Sequence, residues 1–205
     1  MFQTTIAYFM RGGPCMWPLL LCSMAVVFIA VERILYYRKA ISPETFVLQL
    51  CQLMNAGKRK EARDMAGVVS GDAASLACRI IDEAGLYGEV VESVTYELAD
   101  RAVERLENHL DYLSVVISLS PMLGLLGTIT GMMGTFASMT GQMTNTAGVT
   151  SGLAEALITT IFGLIIAIAG TCVHAYLSHR CRNASLNLDA IADVLAARLK
   201  EGGGS

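Results

Sequence analysis

The side chains that could do chemistry lie in one long apolar stretch, residues 113–177, and they are few. Glu155 is the only formally charged side chain in this stretch. An ionisable residue inside a membrane segment is a functional candidate by default, because burying its charge in lipid is costly. Glu155 also falls in the first turn of a predicted helix, where an acid interacts favourably with the helix dipole. The sequence supports a functional acid and a helix-stabilising acid equally.

Small and hydroxyl-bearing residues follow the helical repeat through the same stretch. At about 100° per residue, one arc of its first half carries Ser120, Gly124, Gly127, Gly131, Gly134 and Ser138, flanked by Thr128 and Thr135. One side of its second half carries Gly152, Ala156, Thr159, Thr160, Gly163, Ala167, Gly170, Thr171, His174 and Ser178. Because each glycine costs about 1 kcal/mol in a helix interior, the stripes indicate a compensating close approach in lipid.

Two interpretations of these faces remain open. The two helices could line a shared space around a symmetry axis, with Thr128 and Thr160 at similar depth and Glu155, Thr159 and Thr135 beside them. Alternatively, the glycines make a helix contact within one subunit, and each threonine hydroxyl bonds a carbonyl of its own helix.

Other chemistries find little support in the residues. No nucleophile–base pair, phosphate loop or metal-ligand spacing occurs, so we expect neither an enzyme nor a cofactor. A proton path through the membrane midplane needs a titratable group there, and neither polar face offers one. If protons cross, the carboxylate that carries them must come from another chain.

The composition is that of a membrane protein. The chain is 54% hydrophobic and 16% charged, with a mean hydropathy of +0.51, whereas soluble domains carry roughly 25% charged residues. The net charge of −3 does not indicate a nucleic-acid partner. The six cysteines form no paired motif and are interpreted as small apolar residues or free thiols.

Three spanning segments are predicted, at residues 15–37, 113–139 and 153–177, since about 20 apolar residues cross a bilayer. Lys and Arg concentrate between Arg33 and Arg105 and after Ser178. By the positive-inside rule, the N-terminus (1–14) and the turn at 140–152 face the periplasm. The region 38–112 and the C-terminal helix 178–200 are then cytoplasmic, and residues 201–205 resemble an added linker.

The cytoplasmic region is predicted to be helical. Ser42 is the expected N-cap before Pro43 and Glu44, and helices are expected at 45–55, 58–67 and 72–85. An amphipathic helix from Glu89 to Tyr112 has no breaker, so it should continue into the second span as one rod of about 45–50 residues. The third span likewise has no stop before Lys200. The fold class is therefore all-α, a polytopic membrane protein with three transmembrane helices and long cytoplasmic helical extensions.

Three motifs resemble one known family. They are Gly12-Gly-Pro-Cys-Met-Trp-Pro18 before the first apolar run, Ser120-Pro-Met-Leu-Gly-Leu-Leu-Gly-Thr-Ile-Thr-Gly-Met-Met133 in the second span, and Gly152-Leu-Ala-Glu-Ala-Leu-Ile-Thr-Thr-Ile-Phe-Gly163 in the third. The chain resembles the MotA/TolQ/ExbB proton channel family, in its three-span ExbB/TolQ layout.

The resemblance implies a homopentamer in the bacterial inner membrane, assembled as a ring around a central pore. The pore would hold single-span helices of an ExbD/TolR-like partner whose aspartate carries H⁺, or Na⁺, inward. The motion would drive a TonB/TolA-like transducer. The matched motifs put the pore-lining threonines at Thr128 and Thr160 and the polar acid at Glu155. A gliding- or flagellar-type motor subunit and a passive oligomeric scaffold are the alternatives.

Overall fold

Seven helices account for almost all of the structure, a computed structural model that describes residues 13–87, 90–139 and 146–202. Within these ranges no β-strand occurs. The helices, in chain order, are α1 (Met16–Ala40), α2 (Glu44–Asn55), α3 (Arg59–Val68), α4 (Asp72–Tyr87), α5 (Val91–Glu107), α6 (Leu110–Met139) and α7 (Thr146–Gly202). The all-helical class predicted from the sequence is confirmed.

Three stretches are long and apolar enough to cross a membrane, as predicted: Met16–Asn55, Val91–Phe136 and Gly152–Lys200. The protein is therefore a multi-pass membrane protein. The helix α7, which contains the third of these stretches, runs without interruption for 57 residues, about 85 Å at 1.5 Å per residue. This continuity confirms the prediction that no stop precedes Lys200.

The chain divides into two compact units. The first, called the apolar unit, comprises residues 13–31 and 109–175 as far as they are described. It holds the beginning of α1, all of α6 and the first half of α7. The second, called the polar unit, comprises residues 32–108 and 176–202 with the same restriction.

The polar unit has an aliphatic core. The helices α2, α3, α4 and α5 pack each on the next along the chain. They bury large side chains together with the end of α7: Leu50, Met54, Ile80, Leu106, Leu188, Ile191 and Leu195. The hydrophobic effect favours this burial, because it removes apolar surface from water.

The predicted continuous rod from Glu89 into the second span is wrong, because the helix breaks at Asn108 and His109. Asn108 is extended (φ −49°, ψ 140°), and His109 lies in the left-handed region at φ 70°. Side chains from α1 occupy the carbonyls that a continuing helix would have used. Arg33 Nη1 donates to the Arg105 carbonyl at 3.2 Å, and Tyr37 Oη donates to the Leu106 carbonyl at 2.7 Å. These two carbonyls at the end of α5 thereby receive hydrogen bonds without a further helical turn.

Two smaller predictions also need correction. The N-cap of α2 is Pro43 in extended conformation, with no side-chain cap bond, and the buried Ser42 hydroxyl has no hydrogen-bond partner among the described residues. The predicted turn at 140–152 is shorter than expected, because α7 already begins at Thr146. Residues 140–145 and 1–12, on which other predictions fell, lie outside the described residues.

Candidate functional site

Glycines in α6 and α7 let the two helices meet at their backbones. A Cβ placed on Gly124 would lie 3.1 Å from the Thr160 Cα, and one on Gly163 would lie 2.6 Å from the Ser120 carbonyl oxygen. Atoms do not approach a backbone that closely, so neither position has room for a side chain. In lipid, where water does not drive helices together, such backbone approach favours association.

The same contact continues toward the start of α7. A Cβ on Gly131 would lie 2.9 Å from the Gly152 carbonyl oxygen. The space beside Gly127 is filled by the Thr159 side chain, and the space beside Gly152 by that of Thr135. The stripe of small residues on each helix is therefore used to a large extent within one chain.

Two of the predicted glycines behave differently. Gly170 contacts the side chains of Ile117 and of Val26 in α1, and Ala167 on the same side of α7 is buried. Gly134 has no atom within 4 Å of an added Cβ. The glycine contact within one subunit, one of the two interpretations left open above, accounts for Gly124, Gly127, Gly131 and Gly163 but not for Gly134.

The two adjacent threonines of α7 have different surroundings. Thr159 is fully buried, and its hydroxyl donates to the Glu155 carbonyl at 2.8 Å. This placement gives Thr159 a packing role and does not support a pore-lining one. Thr160 is half-buried, and its hydroxyl donates across the contact to the Gly124 carbonyl at 3.0 Å, with Ala156 as a second acceptor at 3.3 Å.

The threonines of α6 bond their own helix. Thr128 donates to the Leu125 carbonyl at 2.6 Å, and Thr135 donates to the Gly131 carbonyl at 2.9 Å. Both side chains are half-buried. A hydroxyl that donates its hydrogen bond to a carbonyl can still accept a hydrogen bond through the lone pairs of its oxygen. Thr128, Thr135 and Thr160 can therefore still receive a hydrogen bond from a protonated acid.

Glu155 lies farther into its helix than predicted. Because α7 begins at Thr146, Glu155 is more than two turns from the helix start, and the first turn holds no acid. The dipole explanation for Glu155 is therefore wrong, since that effect fades beyond the first turn. Instead, its carboxylate lies against Gly13, in the space that a Cβ of residue 13 would occupy.

The segment before α1 takes part in the site, which was not predicted from the sequence. Gly13 adopts φ 66°, a conformation that only glycine adopts freely, and Cys15 Sγ lies 3.7 Å from Thr130 Oγ1. A glycine directly before Pro14 is the one local signal. Its contact with Glu155, 142 positions away, has no counterpart in local sequence.

The site holds hydroxyls and one carboxylate but no reactive pair. Across residues 13–87, 90–139 and 146–202, no group of three or more His, Cys, Asp or Glu side chains could hold a metal ion. The hydroxyls described above donate to backbone carbonyls, so none is activated by a base. The arrangement can pack helices and accept hydrogen bonds.

Comparison with known proteins indicates the family of this chain. The chain is 30% identical, over 169 aligned residues, to an ExbB-like biopolymer transport protein from Synechocystis sp.. The alignment covers 78% of this chain but 65% of the relative, so the chain spans less than two thirds of that relative's length. The family model of the MotA/TolQ/ExbB proton channel family matches residues 68–190, more than half of the chain and both helices of the site. The chain therefore belongs to the MotA/TolQ/ExbB proton channel family.

Proposed function

We propose that this chain is a channel subunit of the bacterial inner membrane that couples a proton gradient to mechanical work. It would act as a homopentamer with a single-span, ExbD/TolR-like partner, and the complex would drive a TonB/TolA-like transducer in import or envelope maintenance. Family membership and the ExbB-like biopolymer transport relative support this proposal. The N-terminus would face the periplasm and the C-terminus the cytoplasm, by the distribution of Lys and Arg.

The observation that carries the proposal is that the hairpin of α6 and α7 offers several hydroxyl acceptors but only one carboxylate. Half-buried hydroxyls at Thr128 and Thr160 keep free lone pairs, yet Glu155, held against Gly13, is the only carboxylate between residues 113 and 177. A path that holds acceptors but lacks a carrier acid fits a chain that borrows the carrier from a partner helix.

The threonines would act on the protonated state of that acid. In a low-dielectric environment a carboxyl group is held neutral, because burial disfavours its charged form. A neutral carboxyl must donate its O–H to some acceptor. We infer that Thr160 supplies one, with its own proton spent on the Gly124 carbonyl. Release of the proton on the cytoplasmic side then leaves a charge that favours movement of the partner helix.

Replacing Thr160 by valine tests this role, because valine keeps the shape and removes the acceptor. The chain is purified with a single-span, ExbD/TolR-like partner, and proton flux is measured in liposomes under an imposed pH gradient. We expect Thr160→Val to lower the flux roughly fivefold, as loss of one hydrogen bond of about 1 kcal/mol implies, while the partner still copurifies.

Thr130→Val is the matched control. Thr130 also lies in the hairpin and bonds carbonyls of its own helix, but it lies beside Cys15. Normal flux in Thr160→Val, or equal losses in both variants, would contradict the proposed role. A wild-type complex without any flux would instead favour a passive scaffold, the alternative that the glycine contact within one chain supports. Repeating the assay with a sodium gradient separates H⁺ from Na⁺.

A further inference from the structure

A polar cleft opens in the polar unit, where the end of α1 and the loop before α2 face α7. Its volume is about 360 Å³, and its polar lining includes Tyr37, Arg38, Ser42, Arg180, Asn183 and Asn187. The cleft shares no lining residue with the candidate site in α6 and α7. None of the roles proposed so far uses it.

The lining of the cleft carries two arginines, while Asp72 lies in a small adjoining pocket that shares Ser42 and Asn187 with the cleft. Within the described residues, neither Arg38 nor Arg180 forms an ion pair, and no described carboxylate lines the cleft. A second arginine-lined cleft in the same unit, of about 100 Å³, differs in this respect because Asp72 lines it. Two of its arginines also have carboxylate partners, in the pairs Arg79–Glu83 and Arg101–Glu97. The first cleft is therefore the one suited to an anion.

Neutral polar groups complete the lining. Ser42 is 5% exposed, and its hydroxyl has no partner in the described part of the chain. Pro43, which also lines the cleft, is the N-cap of the 12-residue helix α2. The first amides of a helix carry partial positive charge and favour an anion. Two guanidinium groups, two amides and a helix N-terminus together match the oxygens of a phosphate.

The position of the arginines along the chain indicates where the phosphate comes from. Arg38 directly follows the predicted end of the first span at residue 37, and Arg180 follows the predicted end of the third at residue 177. Both side chains are exposed. Residues one turn beyond a span lie at the level of the lipid headgroups, and basic pockets at this level on the cytoplasmic side bind anionic headgroups.

We propose that this cleft binds a phosphate-bearing anion, and that the phosphate belongs to the headgroup of an anionic phospholipid. Arg38 and Arg180 bind the phosphate oxygens, while the amides of Asn183 and Asn187 bind the remaining polar atoms of the headgroup. The lipid would thereby bridge the ends of α1 and α7.

The test compares two double variants that remove the same charge from the same helices. Arg38→Gln with Arg180→Gln removes the cations of the cleft. Lys39→Gln with Arg182→Gln removes two exposed cations beside them that do not line it. Each full-length protein is titrated in detergent with phosphatidylglycerol or phosphatidylcholine, and bound lipids are counted by native mass spectrometry. Circular dichroism and gel filtration check that all the proteins stay folded.

We expect the wild-type protein to prefer phosphatidylglycerol and the cleft variant to bind it roughly tenfold more weakly, since that variant loses the two guanidinium groups that hydrogen-bond the phosphate oxygens. The matched variant should stay within about twofold of the wild type, because its cations do not line the cleft. Equal weakening in both variants, or no preference for phosphatidylglycerol in the wild type, would overturn the proposal.

A second arm distinguishes a lipid from a soluble phosphate. Inorganic phosphate is added to the lipid-free protein in detergent, and thermal unfolding is followed for the wild type and both double variants. We expect no saturable stabilisation by phosphate at millimolar concentration. Saturable stabilisation that needs Arg38 and Arg180, without a preference for phosphatidylglycerol, would overturn the lipid source and assign the cleft to a soluble phosphate compound.

Discussion

The contact between α6 and α7 and the core of the polar unit are both buried, but they are built from opposite kinds of residue. The hairpin contact uses small residues, namely Ser120, Gly124, Gly127, Gly131, Ala156, Thr159 and Gly163. The polar unit buries long aliphatic side chains, among them Leu50, Met54, Ile80, Leu188 and Ile191.

We attribute this difference in residue size to the surrounding medium, which is water for one part of the chain and lipid for the other. In water, a large aliphatic side chain gains most by burial, since the gain scales with the apolar area removed from water. In lipid that gain is absent, and helices associate through close backbone approach and interhelical hydrogen bonds. The bond from Thr160 to the Gly124 carbonyl is one such bond. One chain thus uses two packing rules in adjacent segments.

The largest expected effect comes from placing a large residue in the small-residue contact. Gly163→Leu would drive a side chain into the Ser120 carbonyl, which an added Cβ already approaches to 2.6 Å. Because a backbone atom cannot move aside as a side chain can, we expect α6 and α7 to separate. The measurement is thermal unfolding in detergent, where the variant should lose its cooperative transition.

Gly134→Leu is the matched control for Gly163→Leu. It makes the same change in α6, at a position where an added Cβ meets nothing within 4 Å. It should melt within a few degrees of the wild type, because removing a helical glycine gains about 1 kcal/mol of helix propensity. If the two variants were equally damaged, the glycines would not be acting through the contact between α6 and α7.

A smaller effect is expected from the opposite change in the polar unit. Ile80 is fully buried, so Ile80→Ala leaves a cavity and should lower the free energy of unfolding by about 3 kcal/mol. Leu48→Ala removes a similar side chain that is 64% exposed and should cost less than about 0.5 kcal/mol. Chemical denaturation followed by circular dichroism measures both. Similar losses would show that burial of aliphatic area does not stabilise this unit.

The smallest expected effect is a pH dependence of stability that arises in the polar unit. Burial raises the pKa of Asp72, although hydrogen bonding from Tyr36 and the charge of Arg105 act against this. The folded protein therefore holds the Asp72 proton more tightly than the unfolded one. Unfolding free energy falls as pH rises from the ordinary carboxyl range through the raised pKa. Asp72→Asn should gain stability over the wild type as pH rises toward 7 from about 4, the pH near which aspartate ordinarily titrates.

Asp82→Asn should show the opposite sign. The hydrogen bond from Arg63 lowers the pKa of Asp82, so the wild type keeps this stabilisation above the ordinary carboxyl range and loses it as pH falls through the lowered pKa. Asp82→Asn is then less stable than the wild type near neutral pH, and the difference shrinks in acid. Melting temperatures recorded across this pH range test both variants. A common direction would mean that their titration does not control stability.

Local patterns were enough to predict most of the helices. Pro43, Gly57 and the apolar repeats mark the bounds of α2 and α3, and unbroken apolar runs mark the spans. The break at Asn108 and His109 escaped prediction because neither residue is a strong breaker. It depends on Arg33 and Tyr37, which reach the end of α5 from more than 60 residues away.

The sequence identified candidate residues for the site, but it did not show which of them meet. The periodicity of Gly124, Gly127 and Gly131 identifies one face of α6, but the same periodicity serves a contact within the chain and a face toward another chain. The contact of Glu155 with Gly13 joins distant positions, and no local rule couples them. Moreover, the turn predicted at 140–152 implied a later start for α7 than the structure has.

The sequence by itself determined what depends on the immediate neighbours of each residue: helix formation, the three apolar spans, the charge asymmetry and the small-residue faces. Helix propensity, hydropathy and the 3.6-residue repeat all depend on residues that lie within a few helical turns of one another. Only the tertiary structure decided which faces meet, because that choice depends on atoms far apart in the chain. It set Gly163 against Ser120, buried Thr159 while leaving Thr160 half-exposed, and brought Arg38 and Arg180 to one cleft.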